Sequence, residues 1–326
     1  MGCKTHLYNL FSSHQRAPLH THFIDAGAVF FPAAFFLFGL VFGSFLNVCI
    51  YRLPRELSVV SPRSFCPGCS APIAAYDNIP VLSWIILRGK CRNCGTRISP
   101  RYALVELLTG VLFLLSYFAA GSMVEAVKLC VLSFLLIGLI FTDAETKLLP
   151  DLLTKPGIAL GLVFSLLVRV EGPAQFFFRT IDNWRIWSLV NALAGAVLGS
   201  AFILGVALIY EALRGVEGMG RGDVKLMALI GAFLGVKQTL LVLLLGSLIG
   251  SCFGLLLILR VWVKRLARRR RKIPSEPAGQ ARRRAWQSAT LIYRNFEIPF
   301  GVFLGTAALV AAFWGPALVS WYLNFF

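Results

Sequence analysis

The sequence predicts an all-α polytopic membrane protein of about eight transmembrane helices with a small cytoplasmic zinc-knuckle module. Three observations predict it. Of the 326 residues, 57% are hydrophobic and only 14% charged, which is far too apolar for a soluble domain. The apolar residues come in long runs, many close to the roughly 20 residues a helix needs to cross a bilayer. Between the first two runs stand two Cys-x-x-Cys pairs.

In chain order, Met1 to His22 has Cys, Lys, His and Arg but no apolar centre, so no separate cleavable signal is read there. The first span is expected to serve as an uncleaved signal. Spans are expected at about 27–50, 104–120, 126–142, 157–170, 188–213, 226–236, 239–262 and 298–324. The fourth and sixth are short. A segment like 226–236 does not cross unaided, so it is expected to tilt, to extend into Val224 and Lys225, or to form a half-helix buried among its neighbours. The chain thus divides into an N-terminal lead (1–26), a first helix (27–50), a cysteine-bearing loop (51–103) and a membrane core (104–326) with a basic loop at 264–297.

The net charge of +17 is explained by topology and anionic lipid, and no nucleic-acid partner is expected. With the N-terminus outside the cytoplasm, segments 52–101, 143–155, 214–225 and 264–294 hold 24 of the 32 Lys and Arg. The positive-inside rule therefore selects N-out, C-out. The segment Lys264 to Arg284 is expected to be a solvated basic arm against lipid headgroups.

Cys66-Pro67-Gly68-Cys69 and Cys91-Arg92-Asn93-Cys94 match a tetrahedral four-thiolate zinc site, because each tight turn presents two sulfurs to one metal. A pair of disulfides is the competing reading, and the reducing side of the membrane disfavours it. Bound metal would hold residues 60–100 together with almost no hydrophobic core. The isolated Cys3, Cys49, Cys130 and Cys252 read as unremarkable small side chains.

Asp143 ends one apolar run, and Asp223 stands in Gly218-Met219-Gly220-Arg221-Gly222-Asp223-Val224-Lys225 just before another. A carboxylate at a bilayer boundary faces protein or a wet cavity, since facing lipid is costly. Brought together, the two form a candidate acid–base pair. Alone, Asp223 reads as a helix N-cap and Asp143 as a juxtamembrane anchor. Asp151 is the runner-up for the first position. Lys225 is expected either to balance charge near the pair or to snorkel to the surface, and Glu106 either to orient a substrate amine or to reach the interface.

Taken together, these residues resemble the type IV prepilin peptidases, bifunctional leader peptidases and N-methyltransferases of the bacterial inner membrane. The resemblance runs from Gly43-Ser44-Phe45-Leu46-Asn47 through Tyr51-Arg52-Leu53-Pro54, the two cysteine pairs, Asn78-Ile79-Pro80 with Leu82-Ser83-Trp84, and Ile98-Ser99 with Arg101-Tyr102 and Glu106. It continues through Asp143 and Leu149-Pro150-Asp151 to the Gly220-x-Gly-Asp223-x-Lys225 signature. The departures are Ala103 where the family often has Pro, a longer basic segment after Lys264, and the 26-residue lead; none removes a motif residue. The resemblance implies an aspartic dyad of Asp143 and Asp223, a prepilin or pseudopilin substrate, and methyl transfer from S-adenosylmethionine, whose binding residues the sequence does not identify. A general intramembrane aspartyl protease and a non-catalytic zinc-bearing scaffold or transporter are the alternatives; the zinc loop argues against the first, and peptide cleavage would exclude the second.

Overall fold

The computed structural model describes residues 26–173, 183–215, 220–272, 277–294 and 299–324. Most of the expected N-terminal lead, Cys3 and Gly218 lie outside the described residues. The helices are α1 (Ala26–Arg52), α2 (Leu82–Ile86), α3 (Arg101–Ala119), α4 (Met123–Thr146), α5 (Asp151–Leu167), α6 (Trp184–Arg214), α7 (Arg221–Lys272), α8 (Ala278–Arg294) and α9 (Phe300–Leu323). Six of them, α1, α3, α4, α6, α7 and α9, are long and apolar enough to cross a membrane. Among the described residues only isolated bridges, and no named strand, accompany them.

Local chemistry sets the ends that matter. Ser122 caps α4 by accepting from the Glu125 amide, while Glu125 Oε2 reaches back to the Gly121 amide at 2.9 Å. At the other end Lys147 turns left-handed (φ 55°) and its amide closes on the Asp143 carbonyl at 2.9 Å. Asp143 therefore sits in the last turn of α4. The amide of Asp223 donates to the Gly220 carbonyl at 3.1 Å, placing Asp223 in the first turn of α7. The expected span at 157–170 is α5, which starts earlier, at Asp151, and ends at Leu167.

The spans expected at 226–236 and 239–262 are two arms of α7, joined at Gly235 with φ 75° and ψ −179°. A Cβ on Gly199 of α6 would meet Thr239 Cγ2 at 2.9 Å and Met227 Cε at 3.1 Å. In a straight helix those two positions would lie about 18 Å apart. The chain therefore reverses, and both arms pack on α6. Leu132, Leu136, Leu226, Ile230, Phe233 and Leu304 form the main buried core, with a second cluster under α1 and α3 around Leu46, Ile50 and Val105.

The basic segment is helical through Lys272 in α7 and again in α8, and Lys264, Arg265, Arg268 and Arg282 to Arg284 are exposed on it. Arg and Ala are strong helix formers, and Ala281, Ala285 and Ala289 make a fully buried stripe at helical spacing. Trp262 and Trp286 meet edge to face beside it.

Candidate functional site

The ends of α4, α7 and α9 meet at one point. Asp143 and Asp223 are 4% and 7% exposed. A Cβ built on Gly301, in the first turn of α9, would lie 2.8 Å from Asp143 Oδ2 and 3.3 Å from Asp223 Oδ1. By the triangle inequality the two oxygens are no more than about 6.1 Å apart. The Val302 amide donates to Asp143 Oδ2 at 3.0 Å and fixes that carboxylate in place. Only glycine leaves both carboxylates room here. Sequence reasoning missed Gly301 and Val302; the visible signal was Pro299-Phe300-Gly301 at the head of an apolar run.

Asp151 lies elsewhere. It pairs with Lys155 at 2.7 Å and with Lys225, so Lys225 balances Asp151 instead of the Asp143–Asp223 pair. Glu106 is buried, and its Oε2 accepts from the Val81 amide at 2.7 Å, so it neither reaches the lipid interface nor faces Gly301. Arg101 pairs with Glu145, tying the start of α3 to the end of α4 two residues from Asp143.

The four cysteines converge. Their sulfurs all lie within 4.8 Å of one another, and Cys66 Sγ and Cys94 Sγ are 3.8 Å apart. Four sulfurs about 2.3 Å from one tetrahedral ion would be about 3.8 Å apart, so the donor set fits zinc. The two knuckles repeat one design. Cys66 and Cys91 each bond across their own turn, to Ala71 and Thr96 carbonyls at 2.9 Å, and Ser70 and Gly95 each accept the left-handed position that closes it (φ 56° and 69°). Hydrogen bonding by the Thr96 side chain and backbone holds the Cys94 thiol down at about 6. A bidentate Arg92–Asp77 pair, 2.6 and 2.8 Å, stitches the second knuckle to residues 75–78, and the guanidinium holds Asp77 below the usual carboxylate range.

Comparison with known proteins covers both halves of this arrangement. The bacterial peptidase A24 N-terminal domain matches residues 37–120, and the type IV leader peptidase family matches residues 130–255. A protein of Aeromonas hydrophila named prepilin leader peptidase/N-methyltransferase is 36% identical over 315 residues, which is 89% of this chain and 93% of that one. Proteins of the same name from Neisseria gonorrhoeae and Klebsiella pneumoniae are 39% and 40% identical, over 65% of this chain and 77% and 89% of theirs. No solved structure matches the chain.

Proposed function

The chain belongs to the type IV leader peptidase family, and on that premise we propose that Asp143 and Asp223 are the acid–base pair with which it cuts its substrate. Its activity is that of a prepilin leader peptidase and N-methyltransferase: a leader is removed and the new terminal amine is methylated. The observation that carries the dyad is the convergence of both carboxylates on Gly301. Two neighbouring carboxylates do not both ionise cheaply, so one keeps its proton. The ionised member takes a proton from water as the water attacks the scissile carbonyl, while the other donates to the carbonyl oxygen. Collapse releases the leader's carboxylate and a free amine without a covalent enzyme intermediate.

The chain resides in the bacterial inner membrane, in contact with lipid, with the dyad near the cytoplasmic face. The positive-inside bias of the loops supports this orientation. A prepilin or pseudopilin has a polar leader and a hydrophobic helix, and a dyad at the boundary meets the junction between them. Cys66, Cys69, Cys91 and Cys94 hold zinc, supported by the sulfur spacing. The ion ties the two knuckles together and, with four protein ligands, offers no place for an attacking water. S-adenosylmethionine supplies the methyl group. The accepting amine has an ordinary pKa of about 7.7–8.0, so a neutral fraction exists at physiological pH without a strong base.

Mass spectrometry of the N-terminus of a co-expressed pilin tests the assignment, reporting cleavage and methylation together. Asp143→Asn and Asp223→Asn, which keep shape but cannot exchange the proton, each abolish cleavage. Normal cleavage in either variant sinks the dyad. An inactive Asp151→Asn beside an active Asp143→Asn reassigns its first member.

A further inference from the structure

Beneath the cysteine module lies a cavity of about 420 Å³, walled by the last turns of α1, the first turns of α3 and the module itself. Its volume is that of a small-molecule site. On its wall, Ser44 and Asn47 lie within hydrogen-bond reach of the buried Glu106 carboxylate. Asn47 Nδ2 donates to the Tyr102 carbonyl at 2.9 Å, but Asn47 Oδ1 is buried without a partner among the described residues, in a side chain that is 96% enclosed. A buried acceptor left unpaired is costly, and one at a cavity wall points to a ligand that occupies the space. The backbone nearby is strained as well. Val81 is β-branched yet sits at φ 61° and ψ −49°, and its amide donates to the Glu106 carboxylate.

The charge of the lining says what the ligand is. Arg52 spends its guanidinium on the Ser58 and Pro62 carbonyls at 2.9 and 2.7 Å, Arg92 is clamped on Asp77, and Arg97 is exposed. The wall therefore sets the Glu106 carboxylate, with the buried Asn47 amide oxygen behind it, among the rings of Tyr51, Trp84 and Tyr102, while Asp77 answers Arg92. Acceptors within aromatic walls suit a cation carrying a flat, largely apolar body.

We propose that this cavity binds the methyl donor, an adenosyl sulfonium, with Glu106 and Asn47 as its recognition residues. The inference rests on the N-methyltransferase reading above. The position agrees with it: Arg101, five residues before Glu106, pairs with Glu145, two residues after Asp143, so cavity and dyad flank one ion pair. In the transfer, the S–CH3 bond breaks with its electron pair left on sulfur, the neutral amine forms the N–C bond, and its surplus proton passes to solvent.

The full-length chain in detergent is dialysed to equilibrium against radiolabelled S-adenosylmethionine, then photocrosslinked to it and mapped by peptide mass. Glu106→Gln keeps an acceptor for the Val81 amide and removes the charge; Asn47→Ala removes the orphan oxygen. Each is expected to raise Kd about tenfold or more, as loss of a hydrogen bond to a charged group does, with zinc content and gel-filtration profile as in the unaltered chain. The crosslink is expected within 44–52 or 79–106. Variants that fold by those measures and bind as tightly as the unaltered chain overturn the placement, as does a crosslink in α7 or α9. Should a variant lose its zinc, the crosslink map decides alone. If the unaltered chain binds no donor and leaves cut pilin unmethylated, the N-methyltransferase reading itself fails and takes the placement with it.

Discussion

Replacing Gly301 by alanine sets a methyl group between the two aspartates, and the structure gives the size of the insult. The added Cβ would lie 2.8 Å from Asp143 Oδ2, 3.1 Å from its Cγ and 3.3 Å from Asp223 Oδ1. Ordinary contact begins near 3.4 Å, so the Asp143 carboxylate or the head of α9 must give way by about 0.6 Å. Either movement strains the 3.0 Å bond from the Val302 amide. Because a misplacement near 1 Å costs on the order of 100-fold in rate, cleavage is expected to slow by about 10–100-fold, or roughly 1.4–2.7 kcal/mol of barrier. The assay is the initial rate of prepilin cleavage by purified variant in detergent. Gly250→Ala serves as control, because the atoms nearest its Cβ belong to the Phe300 and Phe303 rings, the closest at 3.3 Å, in the same α7–α9 interface. A Gly301→Ala chain that cuts within twofold of the unaltered rate refutes the reasoning. So does a Gly250→Ala chain that is equally slow, since packing alone would then explain the loss.

Metal analysis is expected to find about one zinc per chain, lost in Cys94→Ser, because a closed four-thiolate site tolerates no missing ligand; retention of stoichiometric zinc by that variant would break the assignment. Ser70→Gly is expected to tighten zinc binding, since Ser70 holds the left-handed position that Gly95 fills in the other knuckle. The gain is about 1 kcal/mol, or roughly fivefold in competition with a chelator, and a weakened site would contradict it. Gly235→Ala is expected to destabilise the fold by at least about 1–3 kcal/mol from backbone strain alone. Its Cβ also meets Val170 Cγ1 at 2.5 Å, and an unchanged thermal midpoint in detergent would show that the reversal is not required.

What the sequence made legible was what chemistry constrains locally. Two Cys-x-x-Cys turns at that spacing favour a shared metal over disulfides on the reducing side of a membrane, and a carboxylate at the end of an apolar run faces protein or a wet cavity, so Cys66 to Cys94, Asp143 and Asp223 stood out before any fold was known. Gly301 did not, because its meaning arises only when α9 approaches α4, 159 residues away in the chain from the Asp143–Val302 contact. Lys225 was legible as a charge near the membrane boundary but not as the partner of Asp151, since which of several carboxylates it reaches depends on how α5 and α7 pack. Glu106 could be placed on α3 but not under the cysteine module. The helices of the basic segment could not be read from its charge; the alanine stripe at 281, 285 and 289 carried the periodicity.

The reversal at Gly235 is the feature that brings the head of α9 to the two aspartates. Met123 to Asp143 spans about 30 Å of α4, one hydrocarbon thickness, and Asp223 shares Gly301 with Asp143 and so stands at the same level. Gly235 follows Asp223 by about 18 Å of helix and therefore stops roughly 12 Å short of the opposite boundary. Broken backbone at that depth survives only when protein covers it. Here it is covered: a Cβ on Gly235 would touch Val170, the Glu171 carbonyl and the Asn191 carbonyl, while the Ser188 hydroxyl accepts from the Val170 amide at 2.8 Å. The second arm then runs back beside α9. Gln238 lies against Gly315, Gly246 against Leu304, and Gly250 against Phe303, so the two helices are antiparallel and α9 begins at the level of Gly250 on the second arm. A straight α7 would deliver the chain to the far side, and α9 would start one membrane thickness from Asp143. By folding back, α7 returns Gly301 and the Val302 amide to the two carboxylates they position.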